Sequence, residues 1–222
     1  NADLATIPLF ILMAEVLFRS GTVDILFDAV DKLIGRMKGR QYVLTISLST
    51  VFGALSGAGM AVAAMLARTI FPTMRNRGYD TKLAIGNILA GASLAPIIPP
   101  SILAIVIGTL SNTSIAGLLI GGIIPGLMLA GLFGIYIFIR TMLNPSLAPS
   151  YKAEKFPLMA KIWTTVQLAP MGIIVFCVMG FILLGIATPS EAAATGAVGA
   201  IITTMIYRKF TIGVFTRALR DT

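Results

Sequence analysis

The stretch GASLAPIIPPS, residues 91–101, constrains the fold of this chain more than any other. It lies in the run 83–139, which contains no Asp, Glu, Lys or Arg. One helix over that run would be about 85 Å long, whereas the hydrocarbon core of a bilayer is roughly 30 Å thick. The run therefore predicts two membrane crossings. Because Lys82 and Arg140 flank it and basic residues prefer the cytoplasm, we expect both ends there and a turn at the polar cluster Ser111–Ser114.

Three prolines interrupt the first of these crossings. Pro96, Pro99 and Pro100 have no N–H, so each removes the donor for the carbonyl four residues earlier, which frees the carbonyls of Ala92, Ala95 and Pro96. We predict a broken helix whose second half begins at Pro99 or Pro100. Freed carbonyls that face a cavity are typical of Na⁺ sites in secondary transporters, and a purely structural kink is the alternative.

The composition places the chain in a membrane. Of its 222 residues, 57% are hydrophobic and 12% are charged, and the mean hydropathy is +0.93, whereas a soluble domain has about 25% charged residues. These values exclude a water-soluble enzyme, a disordered tail and a nucleic-acid-binding arm. The absence of His excludes imidazole metal sites and Ser-His-Asp triads, and the lone Cys177 lies in an apolar run that favours an inert thiol. We expect no enzymatic activity and no nucleic-acid partner.

A second charge-free run, residues 41–67, has basic residues on both sides. A single crossing would place one basic cluster on the wrong side of the membrane. Its middle, Gly53–Gly59, reads GALSGAG and is rich in glycine for a helix interior. We predict a re-entrant hairpin that enters from the cytoplasm and turns at Ser56–Gly59, where such backbone must be buried in protein or line a cavity. A straight helix with a glycine-rich packing face is the alternative.

Three further segments follow from charge and apolar pattern. Residues 162–207 predict two crossings that meet at Thr188–Glu191, which has the sequence of a capping box. Residues 24–37 predict an amphipathic helix in the cytoplasmic interface, and residues 4–18 predict a crossing. Because the chain begins with Asn1, we expect it to be part of a longer protein.

The acidic residues favour one coupling ion over another. All nine Asp and Glu lie outside the charge-free runs, and only Glu15 could lie partly in the bilayer. We expect Glu15 to pair with Arg19, four residues later. Proton-coupled carriers use intramembrane carboxylates or His, so a Na⁺ site made of neutral oxygens fits this sequence better.

In chain order, these observations describe an all-α polytopic membrane protein with six segments. They are residues 1–40, a transmembrane helix and an interfacial amphipathic helix; 41–71, the re-entrant hairpin; 82–110, the broken transmembrane helix; 111–140, a transmembrane helix; 141–161, a cytoplasmic connector; and 162–222, two transmembrane helices and the start of the next segment.

Five short motifs then occur in the order of a known family. They are Ile7-Pro8-Leu9-Phe10-Ile11-Leu12-Met13, Gly53-Ala54-Leu55-Ser56-Gly57, Phe71-Pro72-Thr73-Met74-Arg75-Asn76-Arg77-Gly78-Tyr79, Ile98-Pro99-Pro100-Ser101 and Thr188-Pro189-Ser190-Glu191-Ala192-Ala193-Ala194. Over nearly its whole length the chain resembles the large membrane subunit, of the DctM type, of tripartite ATP-independent periplasmic (TRAP) transporters.

The resemblance implies an elevator-type, Na⁺-coupled importer built from two inverted repeats, each with a re-entrant hairpin and a broken helix. It places the first Na⁺ site between the hairpin tip and the broken helix. The candidate residues are Ser56, Gly57, Ala58, Gly59, Ala92, Ser93, Ala95, Pro96, Pro99, Pro100 and Ser101. Two departures from the family stand there. The tip has Ala58-Gly59-Met60 where the family is richer in Ser, which leaves fewer hydroxyls, and the broken helix has Ala95-Pro96 where Gly is frequent.

The resemblance also implies partners and a location. The permease would be a multi-pass protein of the bacterial inner membrane, beside a small membrane subunit. It would import organic acid anions such as dicarboxylates, supplied by a periplasmic binding protein, with Na⁺ as coupling ion and no other cofactor. A stand-alone Na⁺-coupled carboxylate carrier is one alternative. A membrane scaffold without transport activity is another, although it has no need for three mid-membrane prolines beside a glycine-rich loop.

Overall fold

The computed structural model describes residues 2–34, 39–149 and 158–221, and within these ranges the regular structure is entirely helical. This confirms the all-α prediction. The α-helices are α1 (Ala2–Arg19), α2 (Thr22–Ile34), α3 (Arg40–Ser56), α4 (Gly59–Asn76), α5 (Thr81–Ala92), α6 (Ile102–Ser111), α7 (Ile115–Leu143), α8 (Leu158–Leu183), α9 (Pro189–Ile206) and α10 (Ile212–Asp221), with a short 3₁₀ turn at Pro145–Leu147.

Helix α1 joins the beginning of the chain to its end. It packs most extensively on α9 and also touches α3, α6 and α10. Phe10, Met13 and Leu17 of α1 are buried in the core. An added Cβ at Gly196 of α9 would lie 2.8 Å from both the Met13 sulfur and the Val178 side chain. Helix α9 therefore fits closely between α1 and α8.

Helices α3 and α4 form a helical hairpin, because the chain turns between them within two residues and the two helices pack together. The break excludes the straight helix that the sequence left open. The buried residues of α4 recur every four positions, at Val62, Leu66, Ile70 and Met74. Since this pattern continues past Pro72, α4 extends to Asn76, beyond the predicted limit of residue 71.

An interruption separates α5 from α6, in the region of the three prolines. Helix α5 ends at Ala92 and α6 begins at Ile102. The hydroxyl of Ser101 caps α6, because it accepts a hydrogen bond from a backbone N–H of the first turn at 3.2 Å. The predicted start at Pro99 or Pro100 is therefore wrong: the half-helix begins where a side chain satisfies a free N–H, after the prolines.

Two described helical segments are long and apolar enough to cross a bilayer by length and composition alone. They are α7 and Trp163–Leu183, which lies within α8. Many large apolar side chains of α7 are exposed in this chain, as expected of a surface that faces lipid or further protein. The predicted turn at Ser111–Ser114 is confirmed, since it joins α6 to α7 and Ser114 caps α7.

Several local predictions are confirmed as well. Glu15 and Arg19 form an ion pair at 2.5 Å. Thr188 and Glu191 form the capping box of α9, in which the Thr188 N–H donates to the carboxylate at 2.8 Å. The predicted amphipathic helix, residues 24–37, corresponds to α2, which ends at Ile34. Residues 35–38, and residues 150–157 of the predicted connector, lie outside the described residues.

Candidate functional site

The hairpin tip is held by its own backbone and by one hydroxyl group. Gly57 follows α3 with φ of 60°, a left-handed conformation that favours glycine, and its N–H donates to the Gly53 carbonyl at 2.7 Å. The buried Ser56 hydroxyl donates to the Phe52 carbonyl at 2.8 Å and accepts the Ala58 N–H at 3.3 Å. A hydroxyl oxygen has two lone pairs, so one remains for a further ligand.

Glycines allow the hairpin to approach the interruption at backbone distance. An added Cβ at Gly57 would lie 2.6 Å from the backbone nitrogen that starts α6. An added Cβ at Gly59 would lie 2.7 Å from the Ala92 carbonyl oxygen, and one at Gly53 would lie 2.9 Å from the Ala95 Cα. No ordinary side chain fits in these spaces. The tip is therefore seated against both ends of the interruption.

The three carbonyls that the prolines free have different fates. The Ala92 carbonyl accepts the Ala95 N–H at 3.3 Å, in a turn that follows α5. The Pro96 carbonyl accepts the Ser101 hydroxyl at 2.6 Å. Within the described chain no donor reaches the carbonyl of Ala95, a fully buried residue, because its helical donor would be the nitrogen of Pro99. Of the three carbonyls, that of Ala95 is therefore the one that can accept another ligand.

The predicted serines occupy different environments. Ser56 and Ser101 are buried, and each keeps one lone pair after donating one hydrogen bond and accepting another. Ser93 is exposed, and its hydroxyl donates to the Ala90 carbonyl at 2.7 Å. The close approaches of the tip, at Gly57 and Gly59, are to Ala92, Pro96 and Pro100, and Gly53 of α3 approaches Ala95. Ser56 and Ala58 flank Gly57 in the tip, and Ser101 precedes Ile102. Pro99 instead lies 3.8 Å from a Cβ added at Gly122 of α7, and Ser93 is exposed.

The electrostatics of the contact come from helix ends and neutral oxygens. Among the described residues there is no group of three His, Cys, Asp or Glu that could hold a metal ion. Helices α3 and α5 end at the contact, and helices α4 and α6 begin there. Helix C-termini carry a partial negative charge and N-termini a partial positive charge. Two helix ends with partial negative charge and two with partial positive charge therefore meet at this contact.

The opposite end of the hairpin is fixed by two tyrosines, Tyr42 and Tyr79, to which the sequence analysis gave no structural role. The buried Tyr42 donates its hydroxyl to the Leu147 carbonyl at 2.9 Å, and its ring meets that of Tyr79 edge-on, with centroids 5.2 Å apart. The side-chain amide of Asn87, in α5, donates to the Tyr42 carbonyl at 3.0 Å. Burial raises the pKa of Tyr79, which lies in the α4–α5 connection. These contacts tie the first arm of the hairpin to α5.

A buried ion pair anchors the start of the hairpin. Arg40 Nε donates to Asp31 Oδ1 at 2.9 Å, and the guanidinium also lies 2.6 Å from Oδ2. The Arg40 side chain is only 5% exposed. Sequence reasoning treated Arg40 as a marker of membrane topology. Rules based on helix periodicity pair residues within one helix, whereas Asp31 and Arg40 lie on α2 and α3. Only their opposite charges could have suggested this ion pair.

Comparison with known proteins assigns the family. The family model described as the tripartite ATP-independent periplasmic transporter, DctM component, matches residues 1–222. The chain belongs to this family. It is 35% identical over 205 residues to the ectoine TRAP transporter large permease protein of Halomonas elongata, a match that covers 90% of this chain and 46% of that protein.

Two further relatives give the same family and different substrates. The sialic acid TRAP transporter large permease protein of Vibrio cholerae is 29% identical over 225 residues, covering 100% of this chain and 51% of that protein. The C4-dicarboxylate TRAP transporter large permease protein of Rhodobacter capsulatus is 29% identical over 234 residues, covering 98% and 52%. The DctM-family chain thus spans about half the length of the curated relatives it matches. These relatives are transporter permeases and not enzymes, and their names do not agree on a substrate.

Proposed function

We propose that this chain is part of the permease subunit of a Na⁺-coupled importer of organic acid anions, and that the contact between hairpin tip and interruption binds Na⁺. The observation that carries the proposal is the buried Ala95 carbonyl without a donor, beside a hairpin tip that glycines bring to backbone distance. Ser56 and Ser101 would supply further neutral oxygens through their spare lone pairs, since their neighbours Gly57 and Ile102 approach each other at backbone distance. Hard oxygen ligands without formal charge suit a monovalent ion better than a divalent one, which takes carboxylates.

The helix ends at the contact support the binding of two different ions, Na⁺ at the C-terminal ends and an anionic substrate at the N-terminal ends. Broken helices of secondary transporters direct C-terminal ends and unwound carbonyls at Na⁺, and N-terminal ends at anionic substrate groups. Helices α3 and α5 supply two C-terminal ends, and α4 and α6 supply two N-terminal ends. Binding of Na⁺ at the carbonyl side would fix the tip against the interruption. The N-terminal ends would then be positioned for a carboxylate.

The hairpin works in this way only if it is re-entrant, with its tip inside the membrane. The basic residues on both sides of α3 and α4 support that placement. Movement of the hairpin and the interrupted helix together, in an inverted-repeat elevator, would carry Na⁺ and the anion across. Family membership supports the remaining expectations: a small membrane subunit, a periplasmic binding protein that delivers the substrate, and a multi-pass position in the bacterial inner membrane.

The Na⁺ dependence of uptake tests the site in the full-length transporter with its partners. Ser56→Ala removes one oxygen ligand, and Pro99→Ala restores an N–H that competes for the Ala95 carbonyl. If each variant loses roughly 1–3 kcal/mol of ion binding, the half-saturating Na⁺ concentration rises about 5- to 150-fold. Affinity of the binding protein for the substrate should stay unchanged.

Ser93→Ala is the matched control, because it also removes one hydroxyl but from an exposed position. Equal Na⁺ dependence of uptake in Ser56→Ala and Ser93→Ala would show that Ser56 is not a ligand of Na⁺. A second measurement separates the proposal from a stand-alone carrier: uptake should require the binding protein, and equal uptake without it would favour the carrier.

A further inference from the structure

A groove between α5 and α7 combines two cations with apolar walls. It has a volume of about 500 Å³. Lys82 and Arg140 line one end of it, and Gly86, Ala90 and Phe133 line its length. We call this feature the α5–α7 groove. None of the residues that line it is a candidate ligand of the proposed Na⁺ site.

The two helices present matching lines of residues along the groove. On α5, Lys82, Gly86 and Ala90 are spaced four apart, so they lie on one face of the helix over about 12 Å. On α7, Arg140 and Phe133 are seven apart and also share a face. Each line begins at a cation near a helix end and continues to small or apolar residues nearer the middle of the helix. The groove is therefore amphipathic along its length.

The charged end keeps a net positive charge. Lys82 and Arg140 are exposed, and neither forms an ion pair within the part of the chain that the structure describes. Asp80 lines the same end, but its carboxylate accepts the Leu83 N–H at 2.8 Å and caps α5. Since two cations face one carboxylate that already has a donor, an anion is the complementary ligand.

The apolar part of the groove is open. No heavy atom outside the local helix lies within 4 Å of a Cβ added at Gly86. Phe133 is only partly buried, as is Ala90. A small soluble anion would leave these apolar walls exposed, whereas an acyl chain would bury them. Basic pockets between transmembrane helices are known places for anionic lipid head groups.

We propose that the α5–α7 groove binds an anionic phospholipid, with its phosphate between Lys82 and Arg140 and an acyl chain along Gly86, Ala90 and Phe133. The lipid would contact α5, the helix that ends at the proline-rich interruption. This inference requires that α7 cross the membrane, and it does not depend on Na⁺ coupling or on the substrate.

Native mass spectrometry of the full-length protein tests the proposal, with phosphatidylglycerol and phosphatidylcholine added at equal concentrations. We expect a preference for phosphatidylglycerol. Lys82→Gln and Arg140→Gln should each weaken its binding about fivefold, the effect of one basic residue near a membrane surface. Lys209→Gln is the matched control, since Lys209 is an exposed cation just after α9 that does not line the groove. An unchanged preference in the Lys82→Gln/Arg140→Gln double variant would overturn the proposal.

A steric variant tests the apolar part separately. Gly86→Leu should fill the groove and abolish the preference, whereas Gly131→Leu on α7, which also has nothing within 4 Å of an added Cβ, should not. Equal lipid binding by these two variants would contradict the acyl-chain placement. Displacement of the lipid by millimolar glycerol 3-phosphate would show a site for soluble anions and would overturn the assignment to a lipid. If Gly86→Leu does not fold, the charge variants still decide.

Discussion

Replacing Gly57 with Ala would perturb the hairpin tip in two ways that can be separated. The first is backbone strain, because Gly57 has φ of 60° and the left-handed conformation costs other residues about 1–2 kcal/mol. The second is overlap, because the new Cβ would lie 2.6 Å from the Ile102 nitrogen and 2.9 Å from the Pro100 oxygen. Both neighbours are backbone atoms, so they cannot rotate out of the way. Overpacking of a fitted site costs about 1–3 kcal/mol.

Gly185→Ala provides the matched control. Gly185 has φ of 66°, and no heavy atom outside its immediate neighbours lies within 4 Å of an added Cβ. This variant should therefore lose only the strain part, about 1–2 kcal/mol. Gly57→Ala should lose about 2–5 kcal/mol in all. The difference measures how closely the tip is seated on the interruption.

The assay is the free energy of unfolding of the full-length protein, measured by titration with SDS in mixed micelles and followed by circular dichroism. We expect Gly57→Ala to be the less stable variant, by about 1–3 kcal/mol relative to Gly185→Ala. Equal stabilities of the two variants would refute the close contact between hairpin tip and interruption, and with it the geometry from which the Na⁺ site is argued.

Two further predictions concern topology and the buried ion pair. With Cys177 replaced by Ser, Lys38→Cys and Arg77→Cys should both react with an impermeant thiol reagent from the cytoplasmic side only. Labelling of the two positions from opposite sides of the membrane would exclude a re-entrant hairpin. Asp31→Asn should lower the free energy of unfolding by about 1.5–3 kcal/mol, because it removes the negative charge that accepts hydrogen bonds from a buried guanidinium, whereas the exposed Asp28→Asn should change it by less than about 0.5 kcal/mol. Equal effects of the two Asn variants would show that the ion pair does not stabilise the fold.

Helix breaks were predictable because their causes are local. The glycine-rich stretch Gly53–Gly59 and the prolines of 91–101 mark breaks that the structure has within the same residues. The capping box at Thr188–Glu191 has a fixed spacing. The start of α6 at Ile102 was within reach too, because Ser is a favoured N-cap and Ser101 follows the last proline. The preference of proline for the first helical turn placed the predicted start two or three residues too early.

The rest of the candidate site depends on contacts between distant residues. The sequence predicts three free carbonyls, but the turn after α5 pairs that of Ala92, and Ser101 pairs that of Pro96. Local proline rules do not include either hydrogen bond. The bond from Tyr42 to the Leu147 carbonyl joins residues far apart in the chain, and nothing in the pattern around either residue predicts it. Only the Ala95 carbonyl behaves as the proline rule alone requires.

The driving ion tests the central claim most directly. The full-length permease and its small membrane subunit would be reconstituted in proteoliposomes, with binding protein and substrate outside, and Na⁺ and proton gradients would be imposed one at a time. A site of neutral oxygens at Ser56, Ala95 and Ser101 predicts that uptake follows an inward Na⁺ gradient and persists when a protonophore removes the proton gradient. Uptake that follows the proton gradient and ignores Na⁺ would contradict the account.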